Sequence, residues 1–293
     1  MKSTEPLWQG DLPLASFAQP VKQVLTELGL AGLTAFPRAA QLNHIGDQRF
    51  GGTWRGPEFV DQGQLDDSEA RYYEEVIAED NCIPTREDSW HDLFNACIWL
   101  QFPLTKQYLN RLHVQDIREH GVHPRTKRRN HVTHFDECGV ILAVPRQYLQ
   151  QANELLQQLA SHQWLEALYY QRDSWLRDSW QQQIVAFVFG HANLEMMLNP
   201  FIGLTGKWLA VAVDEDFARW RAFDQTRHLD QALLRRIRQL DDFTPPRLMP
   251  PLPLLGVPGW WAGQTEQFYQ NADYFRPLPK DKGATSQLPL TSD

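Results

Sequence analysis

The apolar segments of this chain are short, and that shortness is the strongest constraint on what the chain can fold into. The longest one, "IVAFVF" at residues 184–189, has the length of a β-strand. No segment approaches the roughly 20 apolar residues that a membrane helix needs. The opening stretch, "MKSTEPLWQGDLPL", also lacks the apolar centre of a signal peptide. We therefore expect a cytoplasmic protein that does not insert into a membrane.

Strand-length apolar runs and amphipathic helical patterns follow one another along the chain. "GVILAVP" at 139–145 and "KWLAVAV" at 207–213 join 184–189 as predicted buried strands. "RQYLQQANELLQQLA" at 146–160 repeats its apolar residues with the spacing of a helix. These elements predict an α+β fold, with a helix-rich single domain built around a small mixed sheet.

The C-terminal part of the chain is rich in proline. "FTPPRLMPPLPLLGVPGWW" at 243–261 predicts an extended segment that wraps around the surface and is anchored by its aromatic residues. No composition change marks a linker earlier in the chain. We predict a single globular domain over residues 1–279 and a disordered tail over residues 280–293.

Charge and cysteine content narrow the function classes. With 36 acidic and 28 basic residues the formal charge is −8, which disfavours nucleic-acid partners because phosphate binding relies on Lys and Arg. The basic cluster "RTKRR" at 125–129 is interpreted as a solvated loop, with RNA or phosphate binding as the alternative. Three dispersed cysteines without a CxxC motif indicate a reducing compartment and exclude a zinc site made of cysteines alone.

The stretch "DSWHDLFNACIWLQFPLTKQYLNRLH", residues 88–113, places polar residues among aromatic and aliphatic ones. His91 and Asn95 are four apart and share a helix face, while Asp92 points elsewhere. A histidine and an amide on one face can bind a metal or orient a substrate. The alternative is a buried polar network that only fixes helix packing.

A second group of polar residues lies in "FGHANLE", residues 189–195. A predicted strand runs into Gly190, and a helix is expected to begin at or near His191. His191 and Glu195 are four apart, a spacing that suits a metal-ligand pair or an acid–base pair. The helix dipole at that end favours a neutral imidazole, which is the ligating form. The alternative is a His–Glu pair that merely stabilises the helix.

A third group lies in "HVTHFDE", residues 131–137. We predict a strand here, which places His134 and Asp136 on the same face. Both could then enter a cleft. The neighbouring Asp136–Glu137 pair can equally be ordinary turn chemistry.

If the three groups converge, they form a mixed nitrogen–oxygen site suited to a divalent ion such as Zn, Mn or Fe(II). The leading hypothesis is a metal-dependent hydrolase acting on a small-molecule substrate. The predicted metal ligands are His91, His191 and Glu195. Asp92 and Asp136 are the predicted catalytic carboxylates, which orient water or act as general base. Arg86, Asn95 and Lys106 are predicted to bind substrate, the two cations by holding an anionic group.

The competing hypothesis is a non-enzymatic binding or regulatory module. In that case His91–Asn95 and His191–Glu195 are structural polar networks. The two hypotheses differ in one measurable property, because only the first requires bound metal.

Four blocks of the sequence resemble a known family. They are "PTREDSWHDLFNACIWLQFPLTKQYLN", "THFDECGVIL", "VFGHANLEMMLNPFIGLTG" and "PLPLLGVPGWW" followed by "FYQNADYFRP". In this order they resemble the bacterial domain of unknown function family 3025, over about Tyr72 to Pro277. The resemblance implies a mostly proteobacterial, cytoplasmic, stand-alone protein. It implies no catalytic residues.

Overall fold

The structure is a computed structural model that describes residues 11, 13–54, 56–64, 71–176, 179, 181–281, 283–285 and 287–291. Helices dominate it, and two small sheets account for the strands. The predicted α+β class is confirmed. Among the described residues no helix is long and apolar enough to cross a membrane.

The helices are described in chain order. They are α1 (Gln19–Glu27), α2 (Ala39–Arg49), α3 (Tyr73–Asp80), α4 (Trp90–Gln101), α5 (Pro103–His120), α6 (Lys127–Cys138), α7 (Leu149–Ala160), α8 (His191–Met196), α9 (Ala222–Gln239) and α10 (Glu266–Tyr269). The predicted helix at 146–160 is present as α7, with a short 3₁₀ turn at its start.

The strands form a small mixed sheet and a separate pair. They are β1 (Glu58–Asp61), β2 (Cys82–Thr85), β3 (Gly139–Pro145), β4 (Val185–Val188), β5 (Thr205–Val213) and β6 (Pro251–Pro253). The larger sheet has the order β4-β3-β5-β6, in which β3 and β5 are parallel and the outer pairings are antiparallel. β1 and β2 form the parallel pair. All seven residues of β3 are buried, which explains why it reads as a continuous apolar run.

The segment "HVTHFDE" is helical, so the predicted strand is wrong. It forms the second half of α6, whose N-cap Thr126 accepts a hydrogen bond from the Arg129 backbone N–H at 3.1 Å. Val132 and Phe135 are three residues apart and fully buried, which is helical spacing. His134 is exposed on the helix surface, whereas Asp136 lies at the cavity described below.

The basic cluster at 125–129 is not a solvated loop. Lys127 begins α6, and Arg129 has 1% of its surface exposed. The guanidinium of Arg129 donates to the carbonyl oxygens of Gly121 and Val122. Burial with these partners makes Arg129 a structural residue that holds the α5–α6 connection.

The junction between α6 and β3 lies beside the junction between β4 and α8, which places the end of α6 against the start of α8. The backbone N–H groups of Phe189 and Gly190 both donate to the carbonyl oxygen of Gly139, at 2.9 and 2.8 Å. A Cβ atom at Gly190 would lie 2.4 Å from the carbonyl oxygen of Glu137. The absence of a side chain at Gly190 therefore permits the close approach that brings α6 and α8 together.

The proline-rich segment contributes β6, which pairs with the first half of β5. Trp260 is partly buried and packs against the core. Beyond Lys280, the side chain of Gln287 accepts from the Ala210 backbone N–H and donates to the Trp208 carbonyl. These contacts fasten part of the C-terminal stretch to β5, while the disorder predicted for the tail as a whole stays a prediction.

Candidate metal centre

Three helices supply the candidate metal centre. His91 lies in the first turn of α4, Glu137 near the end of α6, and His191 at the first position of α8. Each of these side chains offers a ligand atom, and the three atoms lie within 4.8 Å of one another. The rings of His91 and His191 are 4.6 Å apart between centroids and nearly perpendicular. Helix packing thus gathers two imidazoles and a carboxylate from distant parts of the chain.

His191 is held in a buried, uncharged state. Its side chain is 6% exposed, and Nδ1 has no hydrogen-bond partner among the described residues. The nearest carboxylate oxygens are Asp136 Oδ2, 3.8 Å from Nδ1, and Glu137 Oε2, 3.8 Å from Nε2. Burial lowers the pKa of His191 to about 4. The imidazole is therefore neutral at pH 7, which is the form that ligates metals.

His91 makes a cross-helix contact with Glu195. Its Nδ1 lies 2.9 Å from Glu195 Oε2, although the two residues are 104 positions apart in sequence. The hydrogen bond to Glu195 raises the pKa of His91 against the opposing effect of burial. Glu195 thus pairs with the histidine of another helix. Its carboxylate lies behind His91 and outside the three-residue group with Glu137.

Lys106 occupies the base of the site. Its side chain is 5% exposed, and Nζ donates to Asp136 Oδ1 at 2.5 Å and to Asn95 Oδ1 at 3.0 Å. Asn95 in turn donates to the Tyr73 hydroxyl at 3.0 Å. Burial opposes ionisation of Asp136, but the Lys106 ammonium outweighs it, so the pKa of Asp136 is lowered. The network formed by these hydrogen bonds joins α3, α4, α5 and α6.

Arg86 and Asp92 form a second ion pair at the rim. Asp92 accepts from the Arg86 backbone N–H at 2.7 Å, from Nε at 3.0 Å and from Nη2 at 2.7 Å. Burial works against the Asp92 charge, yet these bonds prevail and lower its pKa. Ser89 caps the same helix by accepting from the Asp92 backbone N–H.

These residues surround a cavity of about 240 Å³. It is lined by Gln62, Tyr73, Glu74, Pro84, Arg86, His91, Asp92, Asn95, Asp136, Glu137 and His191. Six of the eight residues predicted for the site are in this lining, and the other two, Lys106 and Glu195, contact it directly through Asp136 and His91. The three sequence groups therefore meet in space. The roles assigned to the individual residues stay predictions.

Sequence reasoning did not assign Glu137, Glu74 and Tyr73 to the site. The signal for Glu137 was present as the second carboxylate of "DE", but a turn was the competing interpretation. Once the segment is known to be helical, Glu137 and Asp136 point about 100° apart, and they flank opposite ring nitrogens of His191. Glu74 and Tyr73 belong to α3, which carried no pattern that pointed to the site.

Comparison with known proteins places the chain in a family. No curated protein and no solved structure was found to match it. One family model matches residues 57–279, a range that contains the whole cavity lining. The chain belongs to the family described as "Protein of unknown function (DUF3025)".

Proposed function

We propose that the protein is a metal-dependent hydrolase whose divalent ion is bound by His91, Glu137 and His191. The observation that carries this proposal is the gathering of these three ligand atoms within 4.8 Å beside a cavity. Two nitrogen ligands and one carboxylate suit Zn, Mn or Fe(II). Catalytic zinc sites commonly use three protein ligands and leave one position for water or substrate.

The surroundings of both histidines support this assignment. Metal-ligating histidines nearly always have a carboxylate, carbonyl or water at the ring nitrogen that faces away from the ion. Glu195 takes that position for His91 at 2.9 Å, and Asp136 approaches it for His191 at 3.8 Å. We therefore assign Glu195 and Asp136 to orienting the ligands.

The spacing fits a metal after a small adjustment. Zinc binds nitrogen and oxygen ligands at about 2.0–2.2 Å, which puts tetrahedral neighbours about 3.4 Å apart. His191 Nε2 and Glu137 Oε2 are 3.8 Å apart. All three ligand atoms lie within 4.8 Å of one another, so side-chain movements of up to about 1.4 Å bring them to tetrahedral spacing. The glutamate, half-buried at the cavity wall, has the freedom to move.

The proposed reaction is hydrolysis of an amide or ester. The ion would supply a water of lowered pKa, about 7 in zinc enzymes. The water oxygen bonds to the carbonyl carbon, the C–N or C–O bond breaks, and the released proton goes to the leaving amine or alcohol. Asp92 and Asp136 are weak proton acceptors because their ion pairs lower their pKa. We assign them to holding Arg86 and Lys106 in place.

Metal content tests the proposal directly. Purified parent protein is expected to hold close to one equivalent of metal, or to take it up from Zn, Mn or Fe(II). His191→Ala and Glu137→Gln should lose it while keeping their fold. His44→Ala serves as the matched control, because His44 is exposed, lies outside the cavity lining and forms a hydrogen bond with Gln48. A parent that stays empty after incubation with all three ions would refute the metal centre.

A structural role is the second candidate, and the Lys106 network favours it. Lys106, Asn95, Tyr73 and Asp136 form a continuous polar chain between four helices. If the histidines belonged only to such a network, His191→Ala would lower thermal stability without changing metal content. The same purified variants distinguish the two candidates.

A further inference from the structure

The cavity carries an excess of negative charge. Its lining includes four carboxylates, Glu74, Asp92, Asp136 and Glu137, against one basic side chain, Arg86. Glu195, directly behind His91, adds a fifth carboxylate, and Lys106, bonded to Asp136, adds a second cation. Five carboxylates against two cations leave three negative charges, one more than a single divalent ion neutralises. The negative electrostatic potential of the cavity favours a positively charged or neutral ligand and repels an anionic one.

Neither nearby cation is available to an anionic substrate. Arg86 makes three hydrogen bonds to Asp92, and Lys106 is bonded to Asp136 and Asn95. An anion would have to compete with these partners.

Apart from the proposed metal ligand Glu137, Glu74 is the lining carboxylate with the weakest compensation: burial raises its pKa, against the opposing effects of Arg125 and Lys106. Its Oε2 is buried without a hydrogen-bond partner among the described residues, and its ion-pair contact there is His113 Nδ1 at 4.0 Å. Burial lowers the pKa of His113 to about 4, so this ring is neutral at pH 7. A buried carboxylate oxygen without a hydrogen-bond donor is costly, and a positively charged ligand group that donates to it would relieve that cost.

The size of the cavity limits the size of its ligand. The cavity volume of about 240 Å³ is below the range of about 300–1,000 Å³ typical of drug-sized ligands. It equals roughly eight water molecules at about 30 Å³ each. The ligand group is therefore small.

We infer that the site takes a small cationic substrate, with a primary ammonium group next to the amide or ester bond, and that Glu74 binds the ammonium. This inference rests on the proposed metal centre and specifies its substrate class. The ammonium donates hydrogen bonds to Glu74, while the carbonyl group lies towards His91, Glu137 and His191. Blocking the amine removes the charge that Glu74 recognises.

The test compares two small probes that differ only at the amine, alaninamide and N-acetylalaninamide. Binding to the metal-loaded protein is measured by calorimetry at about pH 7, where an α-amino group with a pKa near 8 is mostly protonated. Alaninamide is expected to bind at least tenfold more tightly. Glu74→Gln should remove that preference and retain the metal. Glu79→Gln, on the same helix but paired with Arg118 at the surface, should keep it.

Each remaining outcome overturns the inference. Equal binding of both probes, tighter binding of the acetylated probe, binding of neither, or an unchanged preference in Glu74→Gln would do so. Metal content of the same samples distinguishes failure of the substrate class from failure of the proposed function. A metal-loaded protein that does not prefer alaninamide refutes the substrate class alone, whereas a protein that takes up no metal refutes the proposed function.

Discussion

Replacing Lys106 by methionine should strongly destabilise the protein. Methionine keeps the length of the side chain and its packing near the Trp99 ring, which Lys106 Nζ approaches to 5.4 Å. It removes the ammonium that lies 2.5 Å from Asp136 Oδ1. Asp136 would then be a carboxylate at the edge of the core without its main cation.

The size of the effect follows from burial. The Lys106 ammonium and the Asp136 carboxylate are 2.5 Å apart. At an effective dielectric constant of about 20, the electrostatic attraction between them is about 6–7 kcal/mol. Part of that attraction offsets the cost of removing both groups from water, so the net loss on removing one partner is about 3–5 kcal/mol. We expect Lys106→Met to lower the free energy of unfolding by that amount. The double variant Lys106→Met/Asp136→Asn should recover at least about 1 kcal/mol, because no uncompensated charge remains.

Urea unfolding of metal-free protein, followed by circular dichroism and tryptophan fluorescence, measures these differences. Arg221→Met is the matched control. Arg221 pairs with Asp224 at 2.9 Å, but its side chain is 85% exposed, so its loss should cost less than about 1 kcal/mol. If Lys106→Met stays within 1 kcal/mol of the parent, or if the double variant is less stable than the single one, the reasoning about a buried pair is refuted.

Three further predictions concern stability, packing and metal affinity. Burial raises the pKa of Asp230 to about 6, above the unfolded value of about 3.9. The folded state therefore binds the proton more tightly, so this contribution to stability is present below pH 4 and is lost as pH rises through 6. Between pH 4 and 7 the loss is about 2 kcal/mol, because the unfolded carboxyl is already half ionised at pH 4. The difference in the free energy of unfolding between parent and Asp230→Asn, from urea unfolding at both pH values, should change by that amount, and a constant difference would contradict it. Gly190→Ala should lower the melting temperature, because the new Cβ would lie 2.4 Å from the Glu137 carbonyl oxygen and force the α6–α8 junction to shift. A melting temperature equal to that of the parent would contradict this prediction. Glu195→Gln should weaken metal binding about 10–100-fold through His91, measured by competition with a chelator, and unchanged affinity would exclude the orienting role.

Local patterns predicted the elements that are buried on both sides or on one regular face. β3 and β5 are continuous apolar runs because helices and neighbouring strands cover them. α7 has a regular apolar stripe because one of its faces is buried against the larger sheet at β3. The second half of α6 was misread because its few apolar residues fit both a period of two and a helical turn. Only packing of Val132 and Phe135 into the core decides between the two.

The sequence by itself determined which three segments line the cavity and most of the polar residues there, since polar side chains within apolar patterns are visible locally. Only the tertiary structure decided their partners. Glu195 pairs with His91 across 104 residues, and Glu137 joins the histidines because α6 and α8 meet at Gly190. Spacing along one helix specifies neighbours on that helix alone. Contacts between helices depend on how the whole core packs, and no local pattern contains that information.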